Sequence, residues 1–284
     1  MPVTVAPEGA SLRARLTEQG YVVVPGVVPA AETAAVARDV FAHVGADPRD
    51  RESWYQERWI SAAGMVEMYH YQSMWDARQH PAVHAAFAAV LDTPRLWVSL
   101  DRCNLKPPAD ARHPKLDFKG MMHWDVDITR HPALPFAVQG VLALTDTDAA
   151  MGGFHCLPDL YRDLPAALER RRAAGEDPRR PDTGRYPTVR VPARAGDLII
   201  WSTLLPHGNG ENTSDRPRLA QYISMHPARP DAGAGEARVE LWRHNLPPPG
   251  GPFPGDPRRI EEAREAPARL TPLGRRLLGA DPWG

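Results

Sequence analysis

Three side chains stand out for what they can hold together. His123 and Asp125 flank Trp124 in Met121-Met-His-Trp-Asp125, and His207 lies in the glycine-rich run Pro206-His-Gly-Asn-Gly210. In an extended segment, residues i and i+2 project to the same side. The imidazole of His123 and the carboxylate of Asp125 can therefore converge on one metal ion, which needs a further ligand from elsewhere in the chain. His207, just after the apolar run Leu198 to Trp201, is the best candidate. Two histidines and one carboxylate form the facial triad of non-haem Fe(II) oxygenases, leaving three positions open for a bidentate cosubstrate and O2.

A fourth residue completes the pattern. Arg218 follows His207 by eleven positions, at the start of another strand-like run. A hairpin pairing Ile199 with Tyr222 is expected to bring His207 and Arg218 into one cavity. A guanidinium is a planar fork that grips a carboxylate through two hydrogen bonds, so Arg218 is expected to hold the far carboxylate of 2-oxoglutarate. A lone HxD is a weak signal. The ordered combination of HxD, a pair of strands with glycine-rich turns, a late histidine and an arginine eleven residues on is far more specific.

Other residues have two readings each. Gln139 and Val141 lie two apart on a strand, so both can face the cavity; a buried glutamine needs partners, either the cosubstrate or neighbouring backbone. Lys106, Arg102 and Lys119 place positive charge near the mouth, for an anionic substrate or 2-oxoglutarate, or else on a solvated edge. Trp124 points away from its two neighbours and reads as wall or core. Asp127 continues the alternation and either orients His123 or is an exposed loop carboxylate. His155 reads as a turn histidine that can approach the site. Trp54, Trp59, Met65, Met68, Tyr69 and Tyr71 make an aromatic and methionine-rich segment of the kind usually found in cores.

The elements that must carry these groups change character along the chain. Helices are predicted over Ser11 to Gln19, stopped by Gly20, over Pro29 to Val44, stopped by Gly45, and over Pro81 to Leu91, with a short strand at Tyr21 to Pro25. Strands follow at Arg95 to Arg102, Phe136 to Leu144, Thr188 to Val191, Asp197 to Trp201 and Arg218 to Met225, separated by Gly-, Pro- and Asp-rich loops. One helix interrupts them near Pro165 to Ala174. This series predicts an antiparallel sandwich or barrel. The Pro-rich stretch near 246–257 precedes two short helical patches, and that tail is expected to fold over the barrel, being too short for its own core. We expect one domain over 1–284: a helical N-terminal region (1–95), a β core (96–226) and an extension (227–284).

Composition narrows the function. Hydrophobic residues make up 43% of the 284 and charged residues 24%, as in soluble globular proteins. A formal net charge of -1 supplies no field for nucleic acid or an anionic membrane. The cationic residues are nearly all arginine, which reads as a GC-rich, bacterial genome. Met1 to Glu8 lacks a basic region followed by an apolar run, and no run reaches the ~18 apolar residues of a membrane span. The only cysteines, Cys103 and Cys156, form no CxxC pair and fit a reducing compartment, with a lone disulfide as the alternative. A cytoplasmic protein is expected; its oligomeric state is not legible.

The chain resembles the phytanoyl-CoA dioxygenase (PhyH) family of Fe(II)/2-oxoglutarate oxygenases over roughly 12–226. The residues that carry the resemblance are the opening Leu16-Thr-Glu-Gln-Gly-Tyr-Val-Val-Val-Pro-Gly26, Asn104-Leu-Lys-Pro-Pro108 before the metal motif, Gly152-Gly-Phe-His-Cys-Leu-Pro158, and His207 through Arg218. It implies a double-stranded β-helix (jelly-roll) core, mainly β with flanking helices. It also implies oxidation of a small molecule coupled to conversion of 2-oxoglutarate and O2 to succinate and CO2, with ascorbate as a reductant in vitro. By resemblance Asn209, where other members carry serine, offers a hydrogen bond to the cosubstrate, and the segment around Trp59 and Met65 is a substrate-side lid. Two departures are visible: Asp159-Leu-Tyr follows Pro158 in place of Gly-Ser-His, and Val141 stands where some members carry tryptophan. Asp125 is present where halogenating relatives have Gly or Ala, which points to hydroxylation or a related oxidation over halogenation. Desaturation, cyclisation, epimerisation and demethylation are alternatives from the same cofactors; a cupin-like isomerase, hydrolase or binding protein with Zn or Mn is the alternative from another class.

Overall fold

A computed structural model of the chain describes residues 11–229, 232–250 and 256–284. Met1 to Glu8 and some of the Pro-rich stretch therefore lie outside the described residues. Helices α1 (Leu12–Gln19), α2 (Ala30–Val44), α3 (Gln72–Arg78) and α4 (Pro81–Leu91) gather in the N-terminal region, with strands β1 (Tyr21–Val24) and β2 (Met65–Val66). Ser11 caps α1, accepting from Ala14 N–H, and Gly20 ends it in the left-handed conformation. Strands β3 (Leu96–Val98), β4 (Cys103–Lys106), β5 (Val138–Ala143) and β6 (Phe154–Cys156) follow, then helices α5 (Pro158–Arg162) and α6 (Leu164–Ala173). Strands β7 (Val189–Arg190), β8 (Leu198–Ser202), β9 (His207–Asn209), β10 (Arg218–Tyr222) and β11 (Met225–Pro227) complete the sheets, and α7 (Ala232–Arg243) and α8 (Pro272–Leu278) form the tail.

The strands form a six-stranded sheet in the order β1-β8-β5-β10-β4-β2, a three-stranded sheet β7-β6-β9, and the pair β11-β3. Every pairing is antiparallel. The fold is thus a jelly-roll core with helices packed around it. Period-2 alternation sorts the large sheet into two faces. Val22, Leu105, Leu142, Leu198, Ile200 and Leu219 pack outward into one buried cluster with Leu16, Val36, Val40, Phe87 and Val90 of the helices. Tyr21, Val141, Ala143, Ile199, Trp201 and Ala220 face the small sheet, where they meet Phe154, Cys156 and Val191. Burying both faces explains why β8 reads as an unbroken apolar run.

Several expectations need correction. The predicted hairpin of β8 with β10 does not form: β5 lies between them, pairing Val141 with both Ile199 and Tyr222. The predicted strand Arg95 to Arg102 breaks after Val98, and Arg218 to Met225 breaks after Tyr222. The two breaks satisfy each other, Ser99 N–H donating to Ser224 O at 2.7 Å and Ser224 N–H to Ser99 Oγ at 3.0 Å. At these breaks the neighbouring strands β4 and β10 of the large sheet give way to the separate pair β3 and β11. Of the two helical patches expected after the Pro-rich stretch, one α-helix, α8, forms among the described residues; the longer α7 precedes it. Ala268, Leu277 and Leu278 of the tail belong to the same buried cluster as the first helices. No helix of the described residues is long and apolar enough to cross a membrane, and Cys103 and Cys156 are free, buried thiols.

Candidate metal centre

His207 is the first residue of β9 and is buried at 5% exposure. His123 lies outside the named strands but bridges to it: His123 N–H donates to His207 O and His207 N–H to His123 O, both at 3.0 Å. This exchange of two backbone bonds sets the two imidazoles side by side, with ring centroids 4.8 Å apart. The approach requires Gly208, since a Cβ there would lie 2.2 Å from Met121 O. The i, i+2 relation then delivers Asp125. Its Oδ1 is 3.3 Å from His123 Nε2 and its Oδ2 3.3 Å from His207 Nε2. One ligand atom from each of the three residues lies within 4.8 Å of the others.

The tautomers suit a cation. His123 Nδ1 contacts Met121 O at 3.1 Å and His207 Nδ1 contacts Leu205 O at 3.0 Å. A carbonyl only accepts, so each Nδ1 carries a proton, and each Nε2 is the atom facing Asp125: it donates to the carboxylate when protonated and is free to ligate a metal when not. Hydrogen bonds from His123 and His207 hold the Asp125 carboxyl far below the usual carboxylate range, and the bond to Asp125 raises His123. An aromatic wall backs His207: Phe154 stacks on it at 5.9 Å and Trp201 lies 5.0 Å away.

Counting by twos along β10 from Arg218 gives Ala220 and Tyr222, all on the inner face. Arg218 is 3% exposed, and its Nε and Nη2 have no hydrogen-bond partner. Burial lowers its pKa, with the Tyr222 hydroxyl beside it. That hydroxyl accepts from Asn209 Nδ2 at 3.1 Å. Buried guanidinium donors are costly when unmatched, and a carboxylate is the group that satisfies two of them together. The orphaned donors of Arg218 and the donor set of the triad therefore fit an iron ion with 2-oxoglutarate. A cavity of about 310 Å³ opens beside the triad, its walls including Met65, Arg102, Gln139, Trp201 and Tyr222.

The other expected residues are placed as follows. Gln139 reaches the centre but bonds Asp125: its Nε2 donates to Asp125 Oδ2 at 2.7 Å, and its Oε1 accepts from Trp201 Nε1 at 3.1 Å. Arg102 and Met65 border the cavity, Arg102 donating to Glu67 at 2.9 Å. Lys106 is buried opposite Arg218 in the strand register, but its ammonium donates to Ala62 O and Leu116 O, with burial and Arg218 pushing it down to about 8. Lys119 is exposed and pairs with Asp117 and Glu211. Asp127 caps the turn Ile128–Arg130 by accepting from Thr129 and does not touch His123. Trp124 donates to Leu204 O at 2.9 Å and packs with Ile128 and Leu164. Trp59 lies under Arg258 of the tail at 3.8 Å. His155 pairs with Gly208 across the small sheet and lies next to the Met121 crossing, and burial pushes it down to about 4. Sequence reasoning missed Asp101, Phe154, Trp201, Tyr222 and Ser224 as lining residues. Alternation from Arg218 and Gln139 would have found Tyr222; Trp201 faces Gln139 only through a cross-strand register.

The comparisons agree with this geometry. The family model described as phytanoyl-CoA dioxygenase (PhyH) matches residues 16–220. A Dictyostelium discoideum protein named as a phytanoyl-CoA dioxygenase is 24% identical over 53% of this chain, which spans 52% of that relative, about half its length. The Ava biosynthesis cluster protein O of Aspergillus versicolor is 26% identical, covering 72% of each chain. Among solved structures, the non-heme alpha ketoglutarate dependent epimerase SnoN from nogalamycin biosynthesis is 26% identical, with a TM-score of 0.54 over 76% of this chain and 80% of SnoN. A second SnoN structure holds Fe3+, alpha ketoglutarate and nogalamycin RO. The chain belongs to the phytanoyl-CoA dioxygenase (PhyH) family, and its cofactor class is Fe(II) with 2-oxoglutarate.

Proposed function

We propose that the chain hydroxylates an unactivated C–H bond of a small organic molecule, with His123, Asp125 and His207 holding iron and Arg218 anchoring 2-oxoglutarate. The observation that carries this reading is the pair of unpartnered, buried donors on Arg218, next to Tyr222 of the triad's cavity. A hydrolase or isomerase has no use for a sealed carboxylate fork next to its metal. When bound, iron and 2-oxoglutarate together supply O2 activation coupled to decarboxylation of the keto acid. The chain's own task is positioning and exclusion of water. Arg218, with the Tyr222 hydroxyl beside its guanidinium and Asn209 bonded to that hydroxyl, fixes the cosubstrate's far end. Phe154 and Trp201 shield the His207 side.

Arg102 and Met65 border the substrate end, where Asp101 is also exposed to the cavity. Asp101 Oδ1 accepts from Arg102 N–H at 2.7 Å, so this end offers a guanidinium and a carboxylate together to a polar substrate group. Asn209 contributes to the cosubstrate end through Tyr222, whereas Lys106 acts there by charge and not by contact. The protein takes a small-molecule substrate, not nucleic acid or membrane, and works in the cytoplasm, in keeping with its two free thiols. Epimerisation is the second reading, favoured by the similarity to SnoN.

The test is turnover of candidate small molecules by the iron-loaded protein under 18O2. Succinate formation with one 18O atom in the product supports hydroxylation. Succinate with an unlabelled, stereochemically inverted product selects epimerisation, and product without succinate overturns both readings.

A further inference from the structure

Gln139 has a contact that the cosubstrate does not explain. It stands opposite Trp201 in the β5–β8 register. The indole Nε1 only donates, so the glutamine atom that meets it at 3.1 Å must be the carbonyl Oε1. The amide orientation is therefore determined by a neighbour that cannot reverse its role. The amide Nε2 is left to donate to Asp125 Oδ2 at 2.7 Å, a short bond to a charged acceptor.

We propose that Gln139, held by Trp201, is a positioning residue for the metal carboxylate: its hydrogen bond to Oδ2 of Asp125, an oxygen that also lies 3.3 Å from His207 Nε2, keeps the carboxylate from chelating through both oxygens. This rests on the iron reading of His123, Asp125 and His207. A carboxylate that ligates through both oxygens takes two positions on the metal. With the two imidazoles, only two of six would then remain, too few for a chelating keto acid and O2. Tying down Oδ2 keeps three free. Trp201 contacts the ring of His207 as well, with centroids 5.0 Å apart, so one side chain sets the aromatic wall of one ligand and the partner of another. The role differs from direct contact with 2-oxoglutarate, since neither polar end of the Gln139 amide is left without a protein partner.

The test uses the full-length protein, loaded anaerobically with Co(II) as a visible-absorbing stand-in for iron, and compares wild type with Gln139→Met, Trp201→Phe and the double variant. Methionine keeps the length of glutamine without its donors, and phenylalanine keeps the wall without the indole N–H. Partners of metal ligands are typically worth roughly 10- to 100-fold in metal affinity. Gln139→Met is expected to weaken Co(II) binding about 10-fold and to alter the visible d–d band that reports ligand number. Trp201→Phe is expected to change both in the same direction, less strongly. The double variant should lose no more than Gln139→Met, because Trp201 acts through Gln139. Unchanged metal affinity and band in Gln139→Met, with only 2-oxoglutarate binding weakened, would overturn the proposal. So would additive losses in the double variant. Failure of the wild type to bind Co(II) at all would instead count against the metal reading on which the proposal rests. Far-ultraviolet circular dichroism of each variant identifies one that has simply not folded, and the remaining single variant then carries the comparison.

Discussion

The two ends of the site are built differently. At the metal end, the side chains of His123 and Asp125 are 35% and 44% exposed, on a segment joined to the β9 region by two isolated bridges, Gly120 with Gly210 and His123 with His207. At the anchor end, Arg218 is sealed in the inner face of a regular strand, flanked by β4 and β5. The metal ligands already have each other: Nε2 of each imidazole lies 3.3 Å from an oxygen of the Asp125 carboxylate without a ligand. The guanidinium has the Tyr222 hydroxyl beside it, yet its Nε and Nη2 donors are left unmatched. The open end is therefore stable before loading and accessible to metal and substrate, whereas the sealed end carries a penalty that only a carboxylate relieves. The stability of this protein should thus respond to 2-oxoglutarate chiefly through Arg218.

The largest effect expected from that contrast is in Arg218→Met. Removing one partner of a buried, hydrogen-bonded charge pair costs about 2–5 kcal/mol of binding, so 2-oxoglutarate should no longer raise the melting temperature of the iron-loaded protein. The ligand-free variant should melt at or above the wild type, since an unmatched buried charge has been replaced by an apolar chain. A variant that melts well below wild type while still responding to 2-oxoglutarate would reverse the roles of the two ends.

Gly208→Ala probes the bridge at the metal end. The new Cβ would press on Met121 O, so β9 and the His123 segment must separate. Overpacking of this kind costs about 1–3 kcal/mol, and metal affinity should fall with it, as measured by competition with a chelator. Retained affinity would mean that the bridge does not hold the ligands together.

A third effect lies away from both ends. His43 meets Asp256 at 3.3 Å and His70 meets Leu246 O at 2.8 Å, both contacts reaching the tail. Burial lowers each histidine to about 4. The unfolded chain takes up these protons near pH 6.5 while the folded chain resists until about 4. Their stabilisation is complete above about 6.5 and is lost as pH falls through 4. Thermal melts across that window should show the decline, and it should persist in Arg218→Met. A decline that vanishes in that variant would place the titration at the anchor instead.

The smallest effect is expected for Lys119→Ala. Its pairs with Asp117 and Glu211 are solvent-exposed, and such pairs are worth about 0–1 kcal/mol. Melting temperature and 2-oxoglutarate affinity should be nearly unchanged; a large loss of affinity would return Lys119 to the cavity mouth.

The features of the site legible in the sequence were those expressed locally. His123 and Asp125 are separated by a single residue, so strand geometry alone aligns them, and His207 and Arg218 sit at the ends of recognisable apolar runs. Contacts that depend on which strands pair were not legible. The orientation of Gln139 depends on Trp201 standing across from it, and the breaks at Ser99 and Ser224 depend on each other. Lys106 has the composition of a cofactor contact, but two nearby carbonyls claim its ammonium. Asp127 has the right parity to support His123, yet its side chain serves the adjacent turn. The helix α7 escaped notice because Ala-Gly-Ala-Gly at its start has weak helical preference.

The central claim, one iron ion and one 2-oxoglutarate shared between an open and a sealed end, is tested most directly by anaerobic titration of the Fe(II)-loaded protein with 2-oxoglutarate. The account predicts a visible metal-to-ligand charge-transfer band in the wild type. The band should be absent in His207→Ala and should require far more 2-oxoglutarate in Arg218→Met. Bound iron with no band at any 2-oxoglutarate concentration in the wild type would contradict it.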